Sequence, residues 1–177
     1  MNIQSKKELD AFYRKKDPWN YYTNDSDRYR LQIIINYLKS FDPRYTLDIG
    51  CGNGFITNHL PGKKVFGIDY SKNAINWAKK NTKLNSICYK QMSIFELNNH
   101  FTEKFDLVLI TGVLYPQYIG KSITLISEIL DKLISPKGII MTCHIREMNP
   151  PNLPFNLIDQ KIYEYKKFTH VLEVYRK

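Results

Sequence analysis

Three glycines at alternate positions, Gly50, Gly52 and Gly54, sit in the string Asp48-Ile49-Gly50-Cys51-Gly52-Asn53-Gly54. Without Cβ atoms such a stretch turns sharply and brings backbone N–H groups close to a bound ligand. The spacing is GxGxG rather than the GxGxxG that cradles a pyrophosphate. About 20 residues further on, Ile68-Asp69-Tyr70-Ser71 ends an apolar run with a carboxylate. A carboxylate at such a position can accept hydrogen bonds from both hydroxyls of a ribose, so the two signals together point to a nucleoside-bearing ligand. Asp48 is a second acid at the turn. It can meet a ligand ammonium, directly or through water, or brace the loop by accepting backbone N–H bonds.

These residues act together only if a parallel sheet brings its strand tips to one edge. From residue 45 onward, short apolar runs alternate with amphipathic stretches, the pattern of repeated βα units. The runs 45–50, 64–69, 86–91, 105–111 and 138–144 predict five core strands rich in Val, Ile and aromatics. Ser71 caps a predicted helix over 71–84 that repeats Ala74, Ile75, Trp77 and Ala78. Residues 121–134 put Ile123, Ile126, Leu130 and Leu133 on one face before the breaker Ser135-Pro136-Lys137-Gly138. A helix over 28–41 precedes the glycine turn, and another, carrying His59, follows it. Segments 162–165 and 168–175 predict a hairpin about Lys166-Lys167. The expected fold is α/β: a Rossmann-like, doubly wound, three-layer α/β/α arrangement. Its mostly parallel seven-stranded sheet ends in an antiparallel C-terminal edge hairpin.

A chain of 177 residues fits one domain, and 43% hydrophobic with 24% charged residues is an ordinary globular composition. No stretch approaches the roughly 18 apolar residues of a membrane span, and the first residues lack a signal peptide's apolar centre, so a cytoplasmic address and no membrane partner are expected. Cys51, Cys88 and Cys143 are odd in number and lack metal-ligand spacing, so neither a disulfide framework nor a metal is expected. The net charge of +9 suits a phosphate-bearing partner, either nucleic acid or a nucleotide-activated small molecule. The lysines are scattered in pairs rather than gathered in one run, which reads as a solvated surface.

Behind an acidic residue, the GxGxG turn resembles the first motif of class I S-adenosylmethionine-dependent methyltransferases. The string Asp17-Pro18-Trp19-Asn20-Tyr21-Tyr22-Thr23, followed by Asp27-Arg28-Tyr29-Arg30, is similar to that of the NodS-like methyltransferases. These are nodulation-type enzymes that N-methylate chitooligosaccharide, grouped with small sugar methyltransferases. The likeness runs from about residue 12 to the last strand. It implies S-adenosylmethionine as cofactor and S-adenosylhomocysteine as product. On this resemblance Gly50, Gly52 and Gly54 pack against the methionyl and ribosyl groups, Asp48 faces the ammonium, and Asp69 with Tyr70 holds the ribose. Where many relatives carry an Asp for the adenine amino group, this chain has Ser93, flanked by Met92 and Ile94. Thr111 and Tyr115 border the methyl group and acceptor pocket, although Tyr115 also reads as a core tyrosine. By the same resemblance residues 1–27 are expected to act as a lid, with Trp19 and Tyr21 closing over the cofactor, while Arg28 or Arg30 just beyond it reaches the cofactor's carboxylate. Tyr22 stands where the family commonly has an acid, and Ser26 where it has an aromatic, a departure that bears on the acceptor.

Methyl transfer from a sulfonium is an in-line displacement, and a hydroxyl acceptor usually needs a base. His144, at the end of the fifth predicted strand, is the base candidate, although a strand-end histidine can equally brace a loop and an amine acceptor needs no strong base. Arg146 offers a cation for a substrate phosphate or carboxylate. His59, His100 and His170 read as structural or surface residues. The expected acceptor is a small molecule, a sugar or nucleotide-sugar methylated at O or N. An RNA or protein methyltransferase is the alternative, weakened by the lack of an RNA-binding module or an NPPY-type amine site. A catalytically silent cofactor-fold binding protein is the third reading, motivated by Ser93.

Overall fold

Alternation with a period of two gives the central strands two apolar faces. In Phe105–Thr111, Val108 and Ile110 enter one buried cluster while Leu107 and Leu109 enter another on the opposite face. A computed structural model describes residues 3–177 and arranges seven strands in one sheet. They are β1 (Tyr45–Ile49), β2 (Lys64–Asp69), β3 (Ile87–Gln91), β4 (Phe105–Thr111), β5 (Ile134–Ile145), β6 (Asn156–Tyr165) and β7 (Phe168–Arg176). Their order is β3-β2-β1-β4-β5-β7-β6, parallel from β3 through β5, with β7 antiparallel to both β5 and β6. The direction of winding reverses between β1 and β4, so the crevice outside their carboxyl ends is where a ligand enters such a sheet.

The helices are α1 (Lys6–Phe12), α2 (Asp25–Leu38), α3 (Lys72–Asn81), α4 (Leu97–His100), α5 (Pro116–Ile119) and α6 (Ile123–Leu133). On one face of the sheet, Ile33, Ile34 and Leu38 of α2 pack with Val65, Leu107, Leu109 and Met141. On the other, Leu97 of α4 and Ile126, Ile129, Leu130 and Leu133 of α6 pack with Leu47, Phe66, Val108 and Ile140. The α/β/α layering read from the sequence is therefore the observed one.

Several boundaries differ for local reasons. After the glycine turn there is no full helix, only a single 3-10 turn over Thr57–His59. Pro61 restricts the residue before it to extended backbone, and Leu60 is extended accordingly with ψ of 140°. The helix read over 121–134 stops at Leu133, because Ile134 pairs with Phe105 and begins β5. The segment read as a breaker lies inside β5 as an irregularity, and Lys137 takes up its turn with a φ of 64°. The hairpin is longer than its two apolar segments indicated, because the polar residues of edge strand β6 face solvent and carry no hydrophobic period. Cys51 and Cys143 are buried, Cys88 is half-buried, and all three are free thiols. Among the described residues, no helix is long and apolar enough to cross a membrane.

Gly67 in β2 matters for packing. A Cβ there would lie 2.6 Å from two ring carbons of buried Tyr89 and 3.1 Å from the Thr57 methyl. Gly67→Ala is expected to cost about 1–3 kcal/mol by overpacking. Urea unfolding checks this through a lowered midpoint at unchanged slope.

Candidate functional site

The glycine turn is built from backbone that only glycine adopts freely. Gly50, Gly52 and Gly54 have φ of 78°, 54° and 83°, all in the left-handed region. The turn is pinned to its neighbour strand, since the N–H groups of Gly50 and Cys51 both donate to the carbonyl of Ile68, at 2.8 and 2.9 Å. A side chain has no room either. A Cβ on Gly50 would lie 2.2 Å from Val113 Cγ2, and one on Gly52 would lie 2.8 Å from the Tyr13 hydroxyl.

Asp69, at the tip of β2, accepts from the Gly52 N–H at 2.9 Å through Oδ2 and from the Ser71 N–H at 2.8 Å through Oδ1. Each carboxylate oxygen has two acceptor sites, so one on each remains for a ligand. Burial raises its pKa to about 6, with the two backbone N–H bonds acting in the opposite direction. Asp48 lies beneath the turn, where its Oδ2 accepts from the Thr57 hydroxyl at 2.6 Å. Its Oδ1 is buried without a partner among the described residues, and burial pushes its pKa up to about 7.

A cavity of about 450 Å³ opens at these strand ends. Of the residues singled out in the sequence, Gly50, Asp69, Tyr70, Met92, Ser93, Ile94, Thr111, Trp19 and Tyr21 line it. Ser93 caps the 3-10 turn Ile94–Glu96 by accepting from the Phe95 N–H at 3.3 Å, and Met92 and Ile94 are buried beside it. Asp48, Gly52 and Gly54 support the turn from outside the cavity wall.

Tyr115, His144 and Arg28 stand elsewhere. Tyr115 is a core residue whose hydroxyl accepts from the Ile145 N–H at 2.7 Å. His144 is buried in β5 with Nε2 3.6 Å from Glu173, its pKa lowered by burial, and it does not reach the cavity. On β5, Met141 and Cys143 point to the α2 side, and the alternation turns His144 the other way. Arg28 is exposed and pairs with Asp25. Arg30 lines the cavity instead, because Asp27, Arg30, Ile33, Ile34 and Leu38 form the buried stripe of α2 and Arg28 falls off it.

Arg30 is held firmly. Its Nη2 lies 2.8 Å from Asp27 Oδ1, which also accepts from the Tyr165 hydroxyl at 2.8 Å. Its guanidinium sits 5.4 Å from the Tyr21 ring centre and 5.7 Å from that of Tyr165. Arg30 Nε is buried without a partner among the described residues.

The N-terminal segment crosses the cavity. Ile3, Gln4, Ser5, Lys6, Leu9 and Tyr13 line it from α1 and the residues on either side of that helix, together with Val113, Tyr118 and Ile119. Met1 and Asn2 of the segment read as a lid lie outside the described residues. Trp19 stacks on Phe12 with ring centres 5.5 Å apart, and Tyr21 stacks on Phe55 at the same separation. The Trp77 indole donates to the Tyr13 carbonyl at 3.0 Å, and the Asn53 amide donates to the Lys16 carbonyl at 3.1 Å. Tyr13 and Leu9 escaped the sequence reading. Their only signal was the capping box Ser5-x-x-Glu8, in which Ser5 Oγ accepts from the Glu8 N–H while Glu8 accepts from Ser5.

The profile of a family described as "Methyltransferase domain" matches residues 44–173. The ubiquinone biosynthesis O-methyltransferase of Glaesserella parasuis is 29% identical over 122 residues, 64% of this chain and 45% of that protein. The chain thus spans less than half the length of the curated relatives it matches. Among solved structures, the N-methyltransferase NodS from Bradyrhizobium japonicum WM9, in complex with S-adenosyl-L-homocysteine, superposes with a TM-score of 0.81. It is 21% identical, with 97% of each chain covered. Magnesium protoporphyrin IX methyltransferase from Synechocystis PCC 6803, with bound SAM, gives a TM-score of 0.74 at 15% identity, covering 99% of each chain.

The buried, half-satisfied Asp48 generates a prediction. A carboxyl whose pKa rises from 3.8 to about 7 on folding binds more protons when folded, so its ionisation opposes folding increasingly from about pH 4 to pH 7 and fully above. Asp48→Asn is expected to stabilise the ligand-free protein at pH 8.5 by an amount on the order of 1–3 kcal/mol, each of which raises the melting temperature by about 2–4 °C. The gain should vanish below about pH 4, and thermal melts across pH check it.

Proposed function

The chain belongs to the methyltransferase-domain family, and on that premise we propose that it carries a methyl group from S-adenosylmethionine to a small acceptor. The observation that carries the proposal is the cavity at the β1/β4 switch point, walled by Gly50 of the left-handed glycine turn, Asp69, and Met92-Ser93-Ile94. Asp69 retains one acceptor site on each oxygen for two ribose hydroxyls. Met92 and Ile94 offer apolar faces to the adenine, with Ser93 at its edge. Two of the partnerless buried atoms, Arg30 Nε and Asp48 Oδ1, belong to groups of the opposite charges that a methionyl carboxylate and ammonium require, Asp48 acting through water from beneath the turn. Bound there, the cofactor supplies an electrophilic methyl on its sulfonium. Trp19 and Tyr21 present aromatic faces that favour a cation, and the N-terminal segment, read as a lid, keeps water from the transfer.

The acceptor would lie toward Thr111, Val113, Tyr118, Ile119 and Leu9, a mainly apolar wall. Tyr118 offers a flat surface there for a ring, in keeping with a sugar or nucleotide-sugar. Tyr115 and His144 point into the core, and no histidine lines the cavity among the described residues. An acceptor that arrives as a neutral amine needs no such base, so an amino sugar fits better than a hydroxyl.

Calorimetric titration should show saturable binding of S-adenosylmethionine and none of NAD, followed by S-adenosylhomocysteine release with amino sugars in a panel that includes neutral sugars and RNA. Binding of NAD alone would overturn the proposal. Asp69→Ala is expected to weaken cofactor binding by about 10- to 100-fold, as loss of hydrogen bonds to a charged group predicts. Affinity in the unaltered protein should hold above pH 7 and fall as pH drops through about 6, where Asp69 protonates and loses acceptor sites.

A further inference from the structure

The face of α1 that lines the cavity is built from Lys6 and Leu9 and continued by the C-cap Tyr13, at the three- and four-residue spacing of one helical stripe. Asp10 lies off that stripe and reaches α3 instead. Its Oδ1 accepts from the Ser71 hydroxyl at 2.6 Å and from the Asn73 N–H at 3.3 Å, while its carbonyl accepts from the Asn73 side-chain amide at 2.9 Å. Ser71 is the residue whose own N–H holds Asp69 Oδ1 at 2.8 Å, and whose hydroxyl also caps α3 by accepting from the Ala74 N–H. One serine therefore joins the carboxylate assigned to the ribose with the carboxylate of the segment that crosses the cavity.

We propose that Asp10 is a positioning residue that latches the N-terminal segment over the bound cofactor through Ser71 and Asn73. The inference rests on the cofactor reading above. Asp10 touches no reacting atom. Its work is to keep Leu9 and Tyr13 over the cavity, so that a ligand held by Asp69 leaves only after the latch opens. The contacts of Trp77 with the Tyr13 carbonyl, Asn53 with the Lys16 carbonyl and the Asn73 amide with the Asp10 carbonyl use backbone acceptors and survive side-chain replacement at residue 10, which removes only the bonds to Asp10 Oδ1. The latch is thus separable from the seating of the rest of the segment.

The test uses the full chain and S-adenosylhomocysteine, with dissociation followed by the fluorescence of Trp19 and Trp77. Asp10→Ala is expected to release the ligand about tenfold faster, the change expected for an interaction worth about 1.4 kcal/mol. Association should be no slower than in the unaltered protein, and the ligand-free melting temperature should fall by no more than about 2–4 °C per kcal/mol lost, since the same bonds hold the segment in the free chain. Asp10→Asn keeps an oxygen for Ser71 and Asn73 and should restore most of the retention. A residue that served only folding would lower the ligand-free melting temperature and give no selective change in release. An unchanged release rate in Asp10→Ala, with binding intact, would overturn the latch alone. Failure of the unaltered chain to bind S-adenosylhomocysteine would overturn the cofactor reading and the latch with it.

Discussion

A carboxylate withdrawn from water must find donors, and Asp69 finds them in two backbone amides from different parts of the chain. One belongs to Gly52 in the turn after β1, the other to Ser71 at the start of α3. The single side chain thereby ties together the first strand's turn, the second strand's tip and the next helix. The first two of these elements are joined again where the Ile68 carbonyl receives the N–H groups of Gly50 and Cys51. Everything else at the cavity is positioned relative to this knot: the 3-10 turn at Ile94–Glu96 follows the Met92 N–H bond to the Asp69 carbonyl, and α1 follows from Ser71.

A second buried charge, Arg30, couples the far end of the chain to the same cavity. A guanidinium so deep is tolerable only with a paired anion and flat rings against it, and Asp27, Tyr21 and Tyr165 provide them. Tyr165 is the last residue of β6 before the hairpin turn, stacked on His170 with ring centres 3.8 Å apart. The antiparallel hairpin is therefore more than an edge to the sheet. It closes the polar cluster that aims Arg30, linking residues 138 positions apart through the Tyr165–Asp27 bond.

The glycine turn, the acid at the second strand tip and the order of strands and helices were all legible in the sequence, because each rests on local chemistry. Left-handed backbone requires glycine, a two-residue apolar period requires a strand, and Ser71 before Ala74-Ile75 requires a cap. The lining by Met92, Ser93 and Ile94 was legible too, since those residues directly follow β3. The full helix expected after the turn failed at Pro61, a signal present in the sequence. The true start of β5 was hidden, because Ile134 satisfies the helical period of α6 as well as its pairing with Phe105.

What the sequence determined by itself, then, is the architecture and the half of the cavity built from strand tips, because those features follow from backbone conformation and spacing within a few residues. Tertiary structure alone decided which side chains face the cavity from other elements. It chose Arg30 over Arg28 through the buried stripe of α2, turned Tyr115 to the Ile145 N–H, and sent His144 toward Glu173. It also brought Tyr13 onto Gly52 and Asp10 onto Ser71, contacts 61 residues apart in the latter case. The side-chain direction of a strand-end residue and the landing place of a short N-terminal helix depend on partners remote in the chain, and no local period encodes them.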